Sequence, residues 1–196
     1  MKIGLLGGSF NPIHNGHIKI AQAVIESRIV QQVWFIPSYI HPLKDHKGNA
    51  DFDQRLDLIR KAIIDLPYLK VKDYEKRSSD PSYTQRLMQF LYKSYPQHEF
   101  IFIIGYDIIP ELNRWYKYSW LKDNIEFLIV TRTIDQDISL ASDLKHHQFL
   151  NIPPIDISST QIRNLLAHGK SIHELVPENI EPEVYKIYSG TTDHCS

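Results

Sequence analysis

The 196-residue sequence lacks the features that mark secreted and membrane-spanning proteins. Its one cysteine, Cys195, allows neither a disulfide framework nor a cysteine metal cluster within the chain, and suits a reducing cytoplasm. No apolar run approaches the ~20 residues that cross a bilayer, so we expect no membrane partner. The apolar residues 3–6 behind Lys2 are too few for a secretory signal, and we expect no export.

An excess of charge of one sign is also missing. The chain has 22 Lys and Arg against 23 Asp and Glu, a formal net charge of −1. A nucleic-acid-binding protein usually presents a broad basic face, so we expect no nucleic-acid partner and only small, locally held anions. With 42% hydrophobic residues, the composition is that of one globular domain, which we place at residues 1–190 with 191–196 as a disordered tail.

Strand and helix patterns alternate along the chain. Short apolar runs predict five buried strands, at residues 3–6, 33–36, 69–71, 100–104 and 127–130. Apolar residues at helical spacing predict helices around residues 18–27, 52–63, 87–91 and 162–166. This order predicts an α/β, Rossmann-like fold with a doubly wound parallel sheet, whose ligands bind beyond the carboxyl ends of the strands. The polar stretch 135–147 is expected to be a mobile excursion.

The stretch GGSFNPIHNGH, residues 7–17, joins the first predicted strand to the first helix. Its leading glycines let the backbone turn sharply and approach a ligand, and Asn15 is a candidate helix cap. His14 and His17 flank the first helical turn, where unpaired amides and the helix dipole favour an anion such as phosphate. Two other interpretations stay open: a plain glycine-rich turn with surface histidines, and zinc ligation by the two imidazoles. The lysine of a P-loop and the glycine spacing of a dinucleotide fingerprint are both missing.

A second candidate anion site is ISSTQIR, residues 157–163. Ser158 followed by Gln161 predicts a capping box at a helix start, and Gly169 is placed to end that helix. Capping alone does not explain Arg163, whose guanidinium stands beside three hydroxyl groups and suits bidentate contact with phosphate. We therefore predict that the two helix starts converge at one edge of the sheet and hold a polyphosphate.

Together the two segments resemble the paired signatures of a nucleotidyltransferase superfamily. These are His, any residue, Gly, His near the N-terminus, and a late Ser-Ser-Thr, any residue, Ile-Arg, matched at 14–17 and 158–163. From Lys2 to about Gly190 the chain is similar to the nicotinate-nucleotide adenylyltransferase family of that superfamily. Three further stretches carry this narrower resemblance: PSYIHPLK (37–44), SYT (82–84) and GYDIIPELNRWY (105–116).

The resemblance implies the Rossmann-like nucleotidyltransferase fold and transfer of an adenylyl group from ATP to nicotinate mononucleotide, in NAD biosynthesis. It implies catalytic roles for His14, His17, Lys44 and Arg163. It implies ATP binding by Gly8, Ser9, Phe10, His14, Gly16, His17, Gly105, Asp107, Ile157, Ser158, Ser159 and Arg163. It implies binding of nicotinate mononucleotide by Asn11, Lys44, Ser82, Tyr83, Thr84, Trp115, Tyr116 and Arg132. The pyridine ring would stack on Trp115, with its carboxylate at amides near Thr84 and Tyr116.

The expected cofactor is Mg²⁺ that bridges the substrate phosphates, with no metal site built from protein ligands. The chain departs from the family pattern at Tyr106, at Pro110 and at residues 132–134. Two alternatives stay open: the same chemistry on nicotinamide mononucleotide or phosphopantetheine, and a nucleotide-binding sensor without turnover. The sequence also leaves a homo-oligomer open.

Overall fold

One sheet of six parallel strands organises the computed structural model, which describes residues 1–39, 50–77, 82–131 and 138–189. The strands are β1 (Lys2–Gly8), β2 (Gln32–Pro37), β3 (Leu69–Val71), β4 (Glu99–Gly105), β5 (Glu126–Thr131) and β6 (His146–Asn151). They lie in the order β3-β2-β1-β4-β5-β6, and every neighbouring pair is parallel. The predicted doubly wound α/β fold is confirmed, and β1 to β5 correspond to the five predicted strands.

Helices cover both faces of the sheet. The α-helices within the described ranges are α1 (Asn15–Glu26), α2 (Phe52–Ala62), α3 (Thr84–Ser94), α4 (Tyr118–Asn124), α5 (Ser159–Ala167) and α6 (Glu181–Tyr188). Short 3₁₀ helices occupy Tyr74–Arg77, Tyr106–Arg114, Ile138–Ala141 and Glu178–Ile180. Both faces of the sheet are apolar because the central strands consist of consecutive apolar residues, and successive residues point to opposite faces. Leu6 thus packs with α1, α2, α5 and α6, whereas Leu5 packs with α3 and α4.

The strand order places a ligand crevice at one position. The chain runs outward from β1 through β2 to β3, and then returns to add β4 on the other side of β1. Strand order reverses between β1 and β4, and in open parallel sheets the carboxyl ends of the strands at such a reversal flank the binding site. The loop after β1 begins with the predicted phosphate-binding stretch, so the fold brings that stretch to this crevice.

The interpretation of residues 135–147 as a mobile excursion was wrong for its described part. Residues 135–137 lie outside the described ranges, but Ile138–Ala141 is a 3₁₀ helix and β6 begins at His146. This strand lies at the edge of the sheet, and its side chains are exposed or half-buried rather than forming a buried apolar run. An edge strand of this kind lacks the hydrophobic pattern on which the strand predictions depended.

Three further expectations have separate outcomes. The proposed helix cap at Asn15 was wrong, because the cap position is His14, and Asn15 Nδ2 instead donates to Glu174 O at 2.7 Å. The helices α4 and α6 were not predicted, since each has too few buried residues to form a long apolar stripe. The predicted tail at 191–196 lies outside the described residues.

No helix among the described residues is long and apolar enough to cross a bilayer.

Candidate active site

A cavity of about 510 Å³ opens at the carboxyl ends of β1, β2 and β4. The β-strand side is lined by Gly7, Gly8, Ser9, Ile36, Ser38 and Gly105, and the helical side by Ser82, Tyr83, Thr84, Arg114, Trp115 and Tyr116. The volume falls in the range of ligand pockets, and the position is the one that the strand order favours. Five residues predicted to bind the mononucleotide therefore lie together, at 82–84 and 115–116.

An aromatic wall forms the helical side of this cavity. The rings of Tyr83 and Tyr116 are stacked, with centroids 4.4 Å apart and an interplanar angle of 24°. Trp115 is partly buried and meets the core at Phe102, edge to face, with centroids 6.0 Å apart. A flat aromatic ligand can contact such a wall through its ring face, as predicted for Trp115.

The histidines at the start of α1 are stacked on each other. His14 occupies the cap position, is only 5% exposed, and its ring centroid lies 3.7 Å from that of His17. The interpretation of both histidines as surface residues was therefore wrong for His14. The His14 N–H donates to His17 Nδ1 at 3.3 Å, so His17 fills the reciprocal position of a capping box.

This contact defines what His17 offers to a ligand. Desolvation by burial, together with the neighbouring His14 ring, lowers the pKa of His17 well below its ordinary value. The ring is therefore neutral at pH 7, and because Nδ1 accepts a hydrogen bond, the proton resides on Nε2. His17 is thus a neutral hydrogen-bond donor through Nε2 rather than a cation.

Gly16 is required by the packing of the His14 ring. A Cβ at this position would lie 2.9 Å from His14 Nδ1 and 3.1 Å from Ile155 Cγ2. We expect Gly16→Ala to displace the His14 ring and to lower kcat, and overpacking to outweigh the ~1 kcal/mol that alanine gains in helix propensity. Steady-state rates and urea midpoints measure the two effects.

Gly169→Ala is the matched control for this substitution. Gly169 also lies at a helix end, has φ +64° and has open space around its Cβ position. Alanine there should cost stability through backbone strain while leaving the rate unchanged. A Gly16→Ala enzyme with wild-type kcat would contradict the packing argument.

The start of α5 lies against the loop after β1. The predicted capping box is confirmed, because Ser158 Oγ accepts from the Gln161 N–H at 3.1 Å. Ser159 Oγ donates to Pro12 O at 2.8 Å, and Arg163 Nη1 donates to Asn11 O at 2.6 Å. The starts of α1 and α5 therefore converge on the same loop, beside the cavity that Gly8 and Ser9 line.

The remaining predicted site residues differ in their placement. Gly105 lines the cavity, and Asp107 follows it in an exposed position of the 3₁₀ helix at 106–114. Phe10 is only 2% exposed and its ring packs against His17 and Phe35, so the structure places it in the core beneath the loop. Lys44 and Arg132 lie outside the described residues.

Sequence reasoning missed two residues that hold the loop after β1. Arg55 of α2 is 5% exposed and donates to Ser38 O at 2.9 Å and to Ser9 O, so it joins the loops after β1 and β2. Tyr188 of α6 donates to Asn11 Oδ1 at 2.6 Å. A signal for Arg55 was present in the sequence, because this cation stands on the apolar stripe formed by Phe52, Leu56 and Ile59.

Comparisons with known proteins agree with this geometry. The model of the cytidylyltransferase-like family matches residues 5–165. A relative named "Probable nicotinate-nucleotide adenylyltransferase" from Hydrogenobaculum sp. is 38% identical over 92% of this chain and 93% of its own. A relative of the same name from Flavobacterium johnsoniae is 36% identical over 92% and 94%.

Solved structures share the fold. Plasmodium falciparum nicotinic acid mononucleotide adenylyltransferase complexed with NaAD has a TM-score of 0.79 and 22% identity, and covers 95% of this chain and 93% of its own. A putative nicotinate-nucleotide adenylyltransferase from Vibrio parahaemolyticus has a TM-score of 0.68 and 21% identity, over 93% and 97%. With an intact pair of signatures meeting at one loop and relatives that match along nearly the whole chain, this protein belongs to the cytidylyltransferase-like nucleotidyltransferases and, within them, to the nicotinate-nucleotide adenylyltransferase family.

Proposed function

We propose that this protein transfers the adenylyl group of ATP to nicotinate mononucleotide, forming deamido-NAD and pyrophosphate. The observation that carries the proposal is a cavity with an aromatic wall that adjoins a loop held between two helix starts. The cavity suits a flat ring, and the helix starts suit phosphates. The relatives' names support the same reaction.

The reaction needs no nucleophile from the protein. An oxygen of the mononucleotide 5′-phosphate attacks the α-phosphorus of ATP, and the bond from that phosphorus to the oxygen of the β-phosphate breaks. The attacking phosphate is already ionised at pH 7, so catalysis consists of alignment in line and stabilisation of charge on the triphosphate.

We assign the stabilising role to side chains around the loop after β1. His17 would donate from Nε2 to a phosphate oxygen, with His14 packed beneath it and Arg163 supplying a permanent cation. Lys44 belongs to the proposal from the sequence resemblance. On the ATP side the proposal further includes Gly8, Ser9, Phe10, Gly16, Gly105, Asp107, Ile157, Ser158 and Ser159. A neutral donor such as His17 can follow the phosphate through the reaction without exchanging a proton with it.

Mg²⁺ would enter with the triphosphate. The described residues include no group of three or more His, Cys, Asp and Glu side chains placed to hold a metal ion. The side chains at the helix starts are imidazole, hydroxyl and guanidinium groups, and none of these is the carboxylate through which proteins usually bind Mg²⁺. These side chains are therefore consistent with a metal held mainly by phosphate oxygens and water, which would neutralise charge on the triphosphate.

The charge of the cavity favours an acidic ring substituent on the acceptor. Arg114 is the one charged side chain among its described lining residues, and no carboxylate lines it within the described ranges. As the sequence resemblance implies, we place the nicotinate carboxylate near the amides of Thr84 and Tyr116, with the ring on Trp115. Asn11, Ser82, Tyr83 and Arg132 complete the proposed acceptor set.

The test compares acceptors directly. Purified protein is incubated with ATP, Mg²⁺ and, separately, nicotinate mononucleotide, nicotinamide mononucleotide and phosphopantetheine, and pyrophosphate release and product mass are measured. We expect the highest kcat/KM with nicotinate mononucleotide and the mass of deamido-NAD. Equal rates with the two pyridine nucleotides would contradict the nicotinate assignment. Absence of pyrophosphate with every acceptor would favour the sensor interpretation.

The proposal includes a setting for this reaction. We place the enzyme in the cytoplasm, since a chain with a single cysteine suits a reducing compartment. We assign residues 1–190 to one catalytic domain and 191–196 to a tail outside it. A homo-oligomer is compatible with the exposed edge strand β6.

A further inference from the structure

We propose that Tyr188 is a positioning residue for adenylyl transfer: from the C-terminal helix it fixes Asn11, and through Asn11 it sets the place of Arg163 at the phosphate-binding loop. This inference rests on the proposed function. Tyr188 is 4% exposed, and its hydroxyl donates to Asn11 Oδ1 at 2.6 Å in a buried contact. The two residues are 177 positions apart in the chain.

The link continues from Asn11 to the guanidinium. The backbone oxygen of Asn11 accepts from Arg163 Nη1 at 2.6 Å, while Arg163 Nη2 donates to Thr160 Oγ1 at 3.1 Å. One residue of the loop is thus held at its side chain by α6 and at its backbone by α5. A shift of Asn11 would move the acceptor that orients Arg163.

The hydroxyl of Tyr188 is suited to be a permanent donor. Burial raises the pKa of Tyr188 above its ordinary value, although the nearby guanidinium groups of Arg55 and Arg163 act in the opposite direction. The hydroxyl therefore keeps its proton at neutral pH. A phenolic donor also fixes the orientation of the Asn11 amide, because only the carbonyl oxygen of that amide can accept.

The loop is fixed at neighbouring positions by further donors. The carbonyl oxygens of Ser9 and Pro12 accept from Arg55 and Ser159 respectively. These contacts fix the backbone of the loop on both sides of Asn11. Tyr188 anchors the loop at Asn11, between these two contacts.

The first test is Tyr188→Phe, which keeps the ring and removes the hydroxyl. We expect kcat/KM for ATP to fall about 5- to 20-fold, the lower part of the range for a buried acceptor left without its donor. Tyr185→Phe is the matched control: it lies on the same helix, and its hydroxyl accepts from the Ile172 N–H instead of contacting the loop. The control should lose stability to a similar extent and keep its ATP dependence.

The second test separates positioning from general destabilisation by a double-mutant cycle with Arg163→Lys. If Tyr188 acts through Arg163, the double variant should lose at least about threefold less in kcat/KM for ATP than the product of the single losses. The pair Tyr185→Phe with Arg163→Lys should show the simple product. Multiplicative losses for Tyr188, or a loss confined to the mononucleotide, would overturn the proposal.

A third variant covers poor folding of Tyr188→Phe. Asn11→Ala removes the acceptor from the other end of the same contact, and urea midpoints identify conditions in which each variant is folded. Asn11→Ala alone should lower kcat/KM for ATP to about the extent expected for Tyr188→Phe, and where the double variant folds, adding Tyr188→Phe should not deepen that loss. A further multiplicative loss would show that Tyr188 acts by another route and would overturn the assignment. A wild-type enzyme without adenylyl transfer would instead contradict the proposed function, before any variant is compared.

Discussion

Replacing His17 with alanine is expected to lower kcat by about 10² to 10³ while the protein remains folded. The substitution removes the Nε2 donor that we aim at the phosphates, and such preorganised donors contribute to the rate on this scale. Single-turnover and steady-state rates with ATP and nicotinate mononucleotide measure the effect. Near wild-type turnover in a folded His17→Ala enzyme would contradict the assigned role.

Two amide replacements distinguish the functions of the two ring nitrogens of His17. Asparagine can accept from the His14 N–H, as Nδ1 does at 3.3 Å, but does not reach as far as Nε2. Glutamine reaches further with a neutral donor. We expect His17→Asn to keep the urea midpoint of the wild type but to have a kcat as low as that of His17→Ala. His17→Gln should recover part of the rate. His173→Ala, at an exposed histidine, is the matched control and should be unchanged.

Replacing Arg163 with alanine is expected to lower kcat/KM for ATP by about 10- to 100-fold, as for the loss of a charged hydrogen bond. The loss should be larger for ATP than for the mononucleotide, because the guanidinium lies at the start of α5 against the loop after β1. The kcat/KM of Arg163→Lys for ATP should lie between those of the wild type and Arg163→Ala, since an ammonium keeps the charge without the forked geometry.

The stability of the Arg163 variants must be measured beside their kinetics. Arg163 donates to Asn11 O and to Thr160 Oγ1, so its removal should also lower the free energy of unfolding by about 1 kcal/mol. Arg60→Ala removes an exposed arginine of α2 and should change neither property. An ATP dependence of Arg163→Ala equal to that of the wild type would exclude this residue from the handling of the triphosphate.

The parts of the fold that could be predicted are those with a local apolar pattern. The central strands β1, β4 and β5 are covered on both faces, and their continuous apolar runs are visible in the sequence. The edge strand β6 buries little, so it has no such run. The short helix α6 has two buried residues, Val184 and Tyr188, which is too few to establish a helical period.

The same distinction applies to the site. His14, His17, Ser158 and Arg163 could be proposed as site residues because the signals of a helix start depend on neighbours within a few residues, although the cap of α1 was assigned to Asn15 instead of His14. Arg55 and Tyr188 could not be assigned a role, since their partners lie 46 and 177 positions away in the chain. The neutral state of His17 also required the structure, because burial lowers its pKa and a sequence does not give burial directly.

The contact between Asn11 and Tyr188 has a consequence for the order of synthesis. The ribosome synthesises His14 and His17 early and the start of α5 with Arg163 later. Tyr188, whose hydroxyl contacts the loop, is added only with α6, the last described helix. A nascent chain that still lacks α6 therefore contains both signature segments, but its loop after β1 lacks the contact from Tyr188. Translation through residue 188 is thus required before the contact that fixes Asn11 can form.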